Sequence, residues 1–536
     1  MSYKQKIQNE IIKAIESAGV NVQLERPKIK EHGDISTNIA MALAKEQKRN
    51  PLDIANELKE KLKKNTGLIT SIEIAKPGFI NFVVSDLALS ESLAEVHELG
   101  EYYGIAKEKT REKILIEYVS ANPTGDLHIG HGRQAVIGDC LANLMEASGH
   151  EVYREFYIND FGEQISILRD SIDAICKKQH GEKVEWKEEY YPEEILLPYI
   201  KRVIAEKNIS EAVTDLILKV QRELLSSFNV NFDKWFSEKE LHLSGKVHHV
   251  LEKLKNVTYE EENAVWFKAK EYGDVRDRVL IRADKRPTYL LSDIAYHKDK
   301  FDRGFPCLIT VWGADHHGQE IGLKGGLKAL GFDDKKLEII FVQLVSLKKE
   351  GQEVKMSKRA GTFVTLHEVL KEVGPDAFRY FLIESHPNNR MIFDIDLAKK
   401  QDKDNPVYYI QYAHARCCSI FRQITDKKQS ENSASSEILL NLFRVNNKEH
   451  EATKTLVLRI LDFPSEVYLS AASRSPSRIA NYLKDLASDL HSFYTICRVL
   501  SKETKLTEAR LKLVHATKIT LANGLKILGI HAPDSM

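Results

Sequence analysis

No run of apolar residues in the sequence is long enough to cross a membrane, and its first ten residues, MSYKQKIQNE, lack the apolar core of a signal sequence. A soluble, cytoplasmic protein is expected. Cysteine is scarce and badly spaced for pairing. The six, Cys140, Cys176, Cys307, Cys417, Cys418 and Cys497, form no CxxC pair, so neither a zinc knuckle nor a disulfide framework is indicated. Net charge is lacking too, with 78 basic against 78 acidic side chains, so any nucleic-acid surface must be a local patch balanced elsewhere. What is there is length: 536 residues, 43% hydrophobic, enough for roughly three or four cored domains.

The most informative stretch is Ile114 to Gly149. Ile114 to Val119 is a short β-branched, apolar run that suits a buried strand, and Pro123 and Gly125 end it. Ile129, Val136, Cys140 and Leu144 then recur at helical spacing, which predicts an amphipathic helix. The turn between them carries His128, Ile129, Gly130 and His131, where an α/β sheet binds its ligands. Gly130 and Gly132 would let a flat ligand such as a purine approach the backbone. Two imidazoles three apart on a first helical turn can donate to an anion held at the helix N-terminus. Surface histidines or a partial metal site would leave the same four letters.

Other groups carry chemistry only in combination. Glu117 shares a strand face with Leu115 and Val119, so a carboxylate stands where burial is expected and a cation is needed. Tyr289 and Asp293, four apart on a predicted helix, would add a phenol and a second acid, a set that suits a guanidinium. Pairing with protein arginines such as Arg133 or Arg282 is the alternative. Leu308 to Val311 predicts a second buried strand, running into Gly313 and Asp315, where a carboxylate can accept from ribose hydroxyls. His316 and His317 are adjacent and diverge, which argues against a metal pair, and no metal site is expected. Lys355-Met356-Ser357-Lys358-Arg359, by itself, reads as a basic loop. Asn405, Tyr409, Tyr412 and Arg416 fall along one helix face, as core or as a platform for unpaired bases. The lysines at 59, 61, 63 and 64 read as a solvated helix face, and residues 427–436 as a polar loop.

Taken together and in this order, the His128–His131 and Lys355–Arg359 strings resemble the HIGH and KMSKS motifs of class I aminoacyl-tRNA synthetases. EYVSAN around Glu117 and Asn122, the YLLSD string and WGADHHGQ resemble the arginyl branch of that class. The final motif residue is Arg359 where the family has serine, and Lys358 is kept where many arginyl enzymes lose it. Asp376-Ala377-Phe378-Arg379 departs by one residue from the DALR string of the family's anticodon-binding bundle. The resemblance covers essentially the whole chain.

It implies an α/β fold: a Rossmann-type catalytic domain with a parallel sheet, flanked by a small α+β N-terminal domain and an all-α C-terminal bundle. The expected divisions are residues 1–110, which would contact the tRNA corner, 111–365 with a connective insertion at about 165–262 that handles the acceptor end, and 366–536. The implied reaction is ATP-dependent attachment of L-arginine to its tRNA through arginyl-adenylate. His128, His131, Lys355 and Lys358 would be catalytic. Thr124, His128, Gly130, His131, Gly313, Asp315, His316, Met356 and Ser357 would hold ATP, with magnesium carried on the nucleotide. Arginine would be held by Glu117, Ser120, Asn122, Tyr289, Asp293 and His316, and tRNA by Asn405, Tyr409, Tyr412, Arg416 and Met536. A monomer is expected, whose activation step waits for bound tRNA. A small-molecule nucleotidyltransferase also uses an HxGH turn but has no need of the front domain or the helical tail. A silent RNA-binding paralogue should have lost one motif.

Overall fold

The structure is a computed structural model that describes residues 3–15, 22–27, 29–62, 67–107, 112–354, 364–423 and 434–536. Lys355, Met356, Ser357, Lys358 and Arg359 lie outside the described residues, as do Lys63, Lys64 and most of the predicted polar loop.

Five parallel strands form the central sheet, in the spatial order Leu337–Val342, Cys307–Gly313, Lys113–Glu117, Glu151–Ile158, Lys234–Ser237. Strand order reverses between Lys113–Glu117 and Cys307–Gly313, whose registers pair Cys307 with Ile114 and Thr310 with Glu117. Ligands bind outside the carboxyl ends of strands at such a switch point. Both motif turns read from the sequence, at His128 and at Asp315, leave the sheet there. The sequence reading names two of these five strands and misses the other three, and of those Lys234–Ser237 belongs to the sheet although it falls inside the expected insertion. Its four residues carry too little pattern to stand out among helices.

The helix Ile129–Ala147 departs from its expected amphipathic character. It is buried on nearly every side, including Arg133 at 0% exposure, because helices from the C-terminal third pack across its outer face. Gly132 accordingly faces protein and not a ligand: a Cβ there would lie 2.7 Å from Leu366 Cδ1 and from Phe378 Cζ. At Gly138 the ring of Tyr118 fills the space a side chain would take.

In the N-terminal part, the strand Ile69–Ala75 turns at Lys76-Pro77-Gly78 into Phe79–Val84, which also pairs with Ile35–Thr37 in an antiparallel sheet. Asn50 Oδ1 accepts from Leu52 N at 2.9 Å at the start of helix Pro51–Leu62, as the Asn-Pro pair predicts. Three helices after the second sheet strand, Glu163–Gln179, Glu193–Val203 and Ile209–Ser226, bury their own apolar cluster around Leu168, Ile172, Leu196 and Ile217. Beyond 366 the chain is mostly helical, ending in the long helices Pro406–Arg422, Asn447–Ala472, Ser477–Ile496 and Thr504–Ile527. Among the described residues one strand interrupts it: Met391–Asp394 pairs in parallel with Val345–Lys349.

Arg379, from the DAFR string, is fully buried and joins distant parts of the chain. Its guanidinium donates to Asp139 Oδ2 at 2.5 Å, to the Leu528 carbonyl at 2.7 Å and to the Phe228 carbonyl at 2.8 Å.

Candidate active site

The opening strand ends in strain that positions the first acid. Val119 has φ 74°, and Ser120 N donates back to Tyr118 O at 3.1 Å, a γ-turn that a β-branched residue adopts only under constraint. The reversal brings Ser120 Oγ to 2.7 Å from Glu117 Oε1, and Tyr157 N donates to the same hydroxyl at 3.3 Å. Gln134, unnoticed in the sequence, bridges the two halves of the sheet. With its amide oriented to satisfy both partners, it donates to Val119 O at 3.1 Å and accepts from Gly313 N at 3.2 Å.

His128 is the N-cap of its helix, and its Nδ1 accepts from Gly130 N at 3.1 Å and His131 N at 3.4 Å. His131 Nδ1 accepts in turn from His128 N at 3.3 Å, closing a reciprocal capping box made of two imidazoles. With each Nδ1 lone pair engaged, the proton of each neutral ring belongs on Nε2. The pair is thus set as donors at a helix N-terminus, an arrangement suited to phosphate oxygens.

Beside this turn lies a cleft of about 700 Å³ lined by Asn122, Thr124, His128, His131, Tyr191 and Arg202 among others. Its far wall is the insertion, tied to the motif loop by Gln221, whose amide donates to Asn122 O at 3.2 Å and Gly125 O at 3.0 Å. Tyr199 donates to Asp126 Oδ1 at 2.5 Å across the same gap. The Asn122 amide donates to Gln164 at the start of the insertion. On the other strand end, Asp315 is exposed and folds back over Gly313, where a Cβ would lie 2.4 Å from its Oδ1. His316 Nε2 is 3.6 Å from Asp315 Oδ2, and His317 stacks on Phe341 at 3.6 Å between ring centroids.

The structure brings Glu117 and Asp293 close enough to repel one another, and it supplies a partner other than the arginines considered from the sequence. Glu117 is 4% exposed, and its cation is Lys300 Nζ at 2.6 Å from Oε2, not an arginine. Arg133 spends its guanidinium on the carbonyls of Gln343, His386 and Asn389 and on Ser385 Oγ. Asp293 is half-buried, and among the described residues no hydrogen bond or ion pair reaches its carboxylate. Burial, then repulsion from Glu117 and Glu238, pushes its pKa well above the usual carboxylate range, with Lys300 acting the other way. Tyr289, one turn before it, is 55% exposed. Glu238 is a third acid that the sequence did not suggest. It is 4% exposed, the His242 imidazole lies 3.7 Å from its Oε1, and its Oε2 is buried with no hydrogen-bond partner among the described residues. It enters through the strand Lys234–Ser237, one of the elements missed above.

The second candidate surface lies on the helix Pro406–Arg422. Tyr408, Tyr409, Tyr412 and Lys403 line a cavity of about 370 Å³ with His491. Tyr412 is 43% exposed and stacks on His491 at 5.8 Å, and Arg416 lies over the ring of Tyr494 at 4.4 Å. Asn405 differs from the expectation. It is a buried N-cap, accepting from Val407 N and Tyr408 N and donating to the carbonyls of Ala398 and Lys400, so its side chain is committed to the fold. The chain's tail is fastened to the same helix by Gln411 to His531 O and His414 to Pro533 O, both at 2.8 Å, and Met536 is exposed beyond it.

Three family models match consecutive parts of the chain: "Arginyl tRNA synthetase N terminal domain" over residues 1–84, "tRNA synthetases class I (R), catalytic domain" over 95–413 and "DALR anticodon binding domain" over 410–536. The chain is 42% identical over 530 residues to an arginine–tRNA ligase of Carboxydothermus hydrogenoformans, covering 96% of this chain and 94% of that one. It is 44% identical over 542 residues to an arginine–tRNA ligase of Shouchella clausii, covering 98% and 96%. Among solved structures, the arginyl-tRNA synthetase of Thermus thermophilus superposes with a TM-score of 0.78 at 23% identity, covering 99% of this chain and 100% of that one, a likeness of fold.

Proposed function

The chain belongs to the arginyl-tRNA synthetases, and from that premise we propose how its residues divide the work of joining arginine to tRNA with ATP. The observation that carries the assignment is the pairing of a phosphate-directed imidazole turn with a carboxylate cluster one cation short, both at the switch point of one sheet.

The arginine carboxylate attacks the α-phosphate of ATP, pyrophosphate departs, and the terminal 2′-hydroxyl of the tRNA takes the arginyl group from the adenylate, releasing AMP. His128 and His131 donate through Nε2 to the phosphates as charge shifts onto the leaving group, a preorganised electrostatic role. Thr124, Gly130, Gly313, Asp315 and His316 form the nucleoside and phosphate seat. Lys355 and Lys358, with Met356 and Ser357, complete it from a segment whose downstream flank, Thr365, meets His128 in a β-bridge. The donors at the turn are the two imidazole Nε2–H groups, which suit phosphate oxygens better than a bare divalent cation. Magnesium therefore arrives on the nucleotide, where it shields the phosphates.

The guanidinium is received by Asp293 and Glu117, with Tyr289 along its flank, while Ser120, Asn122 and His316 face the reacting end. Glu238, buried beside them, joins the acid wall. Tyr409, Tyr412, Arg416 and Met536 form the anticodon surface, supported by Asn405 as a cap. Residues 1–110 meet the tRNA corner, 111–365 hold the reaction centre with the insertion at its acceptor side, and 366–536 read the anticodon. The protein acts as a cytoplasmic monomer.

The test is tRNA charging by the purified protein with each amino acid in turn, in ATP, magnesium and total tRNA. Charging confined to arginine is the expected result. Charging with another amino acid would remove the pocket assignment, and arginine-dependent pyrophosphate exchange at full rate without tRNA would remove the tRNA requirement for activation.

A further inference from the structure

The acids around the candidate pocket divide by the cations they already own. Glu155 is fully buried, chelated by Arg303 at 2.6 and 2.8 Å, and takes the Tyr296 hydroxyl at 2.7 Å. Asp299 takes Lys246 at 2.6 Å. Glu117 takes Lys300 at 2.6 Å. Asp293 has none among the described residues.

Lys300 is an unusual resident of this set. It is 0% exposed, and its ammonium is enclosed by Glu117, by His297 Nε2 at 3.4 Å and by the face of Tyr296 at 4.0 Å. His297 donates through Nδ1 to the Asp293 carbonyl at 2.8 Å, and burial together with Lys300 keeps its ring neutral, so Nε2 accepts from the ammonium. A lysine is rarely buried unless it is paired. Nothing in the phosphate chemistry of the site uses it.

We propose that Lys300 is a specificity-determining positioning residue: it matches Glu117 charge for charge and fixes that carboxylate, so that the negative charge open to a substrate cation stands at Asp293. The proposal rests on the reading of Glu117 and Asp293 as the guanidinium pocket. The groups facing Asp293 are Glu117 from the opening strand, Tyr157 from the next strand, Glu238 from the helix Glu238–Leu243, and Tyr289 and Lys300 from its own helix. All but Lys300 are acids or phenols. Two carboxylates in one site resist ionising together, and Lys300 is the cation that relieves this. It also accounts for selectivity: the pocket's charge is balanced when one more cation enters. A neutral side chain leaves Asp293 unmatched.

The experiment is the arginine KM in tRNA charging from about pH 6 to about pH 9, the span between ordinary carboxylate and lysine titration. It is run for the native chain, Lys300→Met, Glu117→Gln and the double variant. Lys300→Met removes the cation that opposes the rise in the Asp293 pKa, so Asp293 holds its proton more tightly and arginine must displace it. KM should rise at least roughly tenfold at pH 7 and recover as pH rises, with the ATP KM little changed. Glu117→Gln leaves Lys300 as an unmatched cation facing the guanidinium, and KM should rise too. The double variant, which removes both charges, should bind arginine better than either single variant. A pH-independent deficit in Lys300→Met, or additive losses in the double, would overturn the proposal. If the single variants do not fold, the double is the readout, and a loss beyond about tenfold overturns it. Asp293→Asn separates this from the pocket reading, which fails by itself if that change leaves arginine KM unaltered.

Discussion

Thr365 forms an isolated antiparallel bridge with His128, and the next main-chain N–H, that of Leu366, donates to Leu127 O at 2.9 Å. Two segments far apart in the chain are thereby stitched at the start of the helix that carries both imidazoles. Leu366 also packs over Gly132. Gly132→Ala would place a methyl group 2.7 Å from Leu366 Cδ1 and Phe378 Cζ. Overpacking of this kind costs about 1–3 kcal/mol. We expect a lower thermal midpoint together with a raised ATP KM, measured by calorimetry and by pyrophosphate exchange in the presence of tRNA. A stability loss with unchanged ATP KM would show that the stitch does not govern the nucleotide seat.

The imidazole capping box predicts that asparagine and alanine behave differently at His128. Asparagine is a preferred N-cap whose Oδ1 can accept the main-chain N–H groups that Nδ1 accepts now. His128→Asn should therefore keep stability within about 0.5 kcal/mol of the native chain, while His128→Ala loses about 1 kcal/mol. Both lose the Nε2 donor, and both should slow adenylate formation by roughly a hundredfold, the usual cost of one transition-state donor. Urea unfolding and single-turnover kinetics separate the two roles. Equal stability of the two variants would mean that the cap contributes nothing.

A pair of imidazoles remote from the site sets an acid limit. His97 and His515 stack with their Nδ1 atoms 3.1 Å apart, joining the helix Asp86–Leu99 to the helix Thr504–Ile527. Burial, then the neighbouring His515, depresses His97 to about 3. The unfolded chain binds this proton near the ordinary value of about 6.5, the folded chain only near 3. The stabilisation is thus complete above the ordinary value and is lost as pH falls through that window, at up to about 1.4 kcal/mol per pH unit. His97→Phe keeps a ring but not the titration. Between pH 7 and pH 5 the native chain should lose about 2 kcal/mol more than this variant in urea unfolding. Equal losses would refute the assignment.

On the proposed anticodon surface, Tyr412 is half-exposed where a structural tyrosine of the stripe would be covered. Tyr412→Ala should raise the tRNA KM by roughly tenfold or more, in line with about 1–3 kcal/mol per stacked base, and leave the arginine and ATP KM values unchanged. Tyr412→Phe should restore it. A tRNA KM that ignores both changes would move the anticodon site elsewhere.

These residues also show what a sequence can carry. His128, His131 and Asp315 were legible because each follows a strand of recognisable pattern, and the sheet's switch point then brings the two turns together. Glu117 was legible as a buried acid in need of a cation, but the cation was not, since Lys300 lies 183 positions away and is specified only by the parallel pairing of two strands. Glu238 and Gln134 escaped for the same reason: a short strand and a polar residue within a helix have no periodic signature. Asn405 misled because a capping side chain and a ligand-binding one share the same residue type. Gly132 was read as room for a ligand, when the helix's outer face, judged amphipathic, is itself covered by protein.

Arg379 has a consequence for how the molecule comes into being. Its three shortest bonds go to Asp139 on the helix of the imidazole turn, the Phe228 carbonyl just beyond the helix Ile209–Ser226, and the Leu528 carbonyl near the far end of the chain. A chain emerges from the ribosome N-terminus first, and domains generally fold in that order. Here the guanidinium must wait through a further 149 residues for its last acceptor. The helix that presents the imidazoles is therefore not fully braced until translation is nearly done, so a nascent chain stalled before that point would carry the complete catalytic sequence in an unfinished setting.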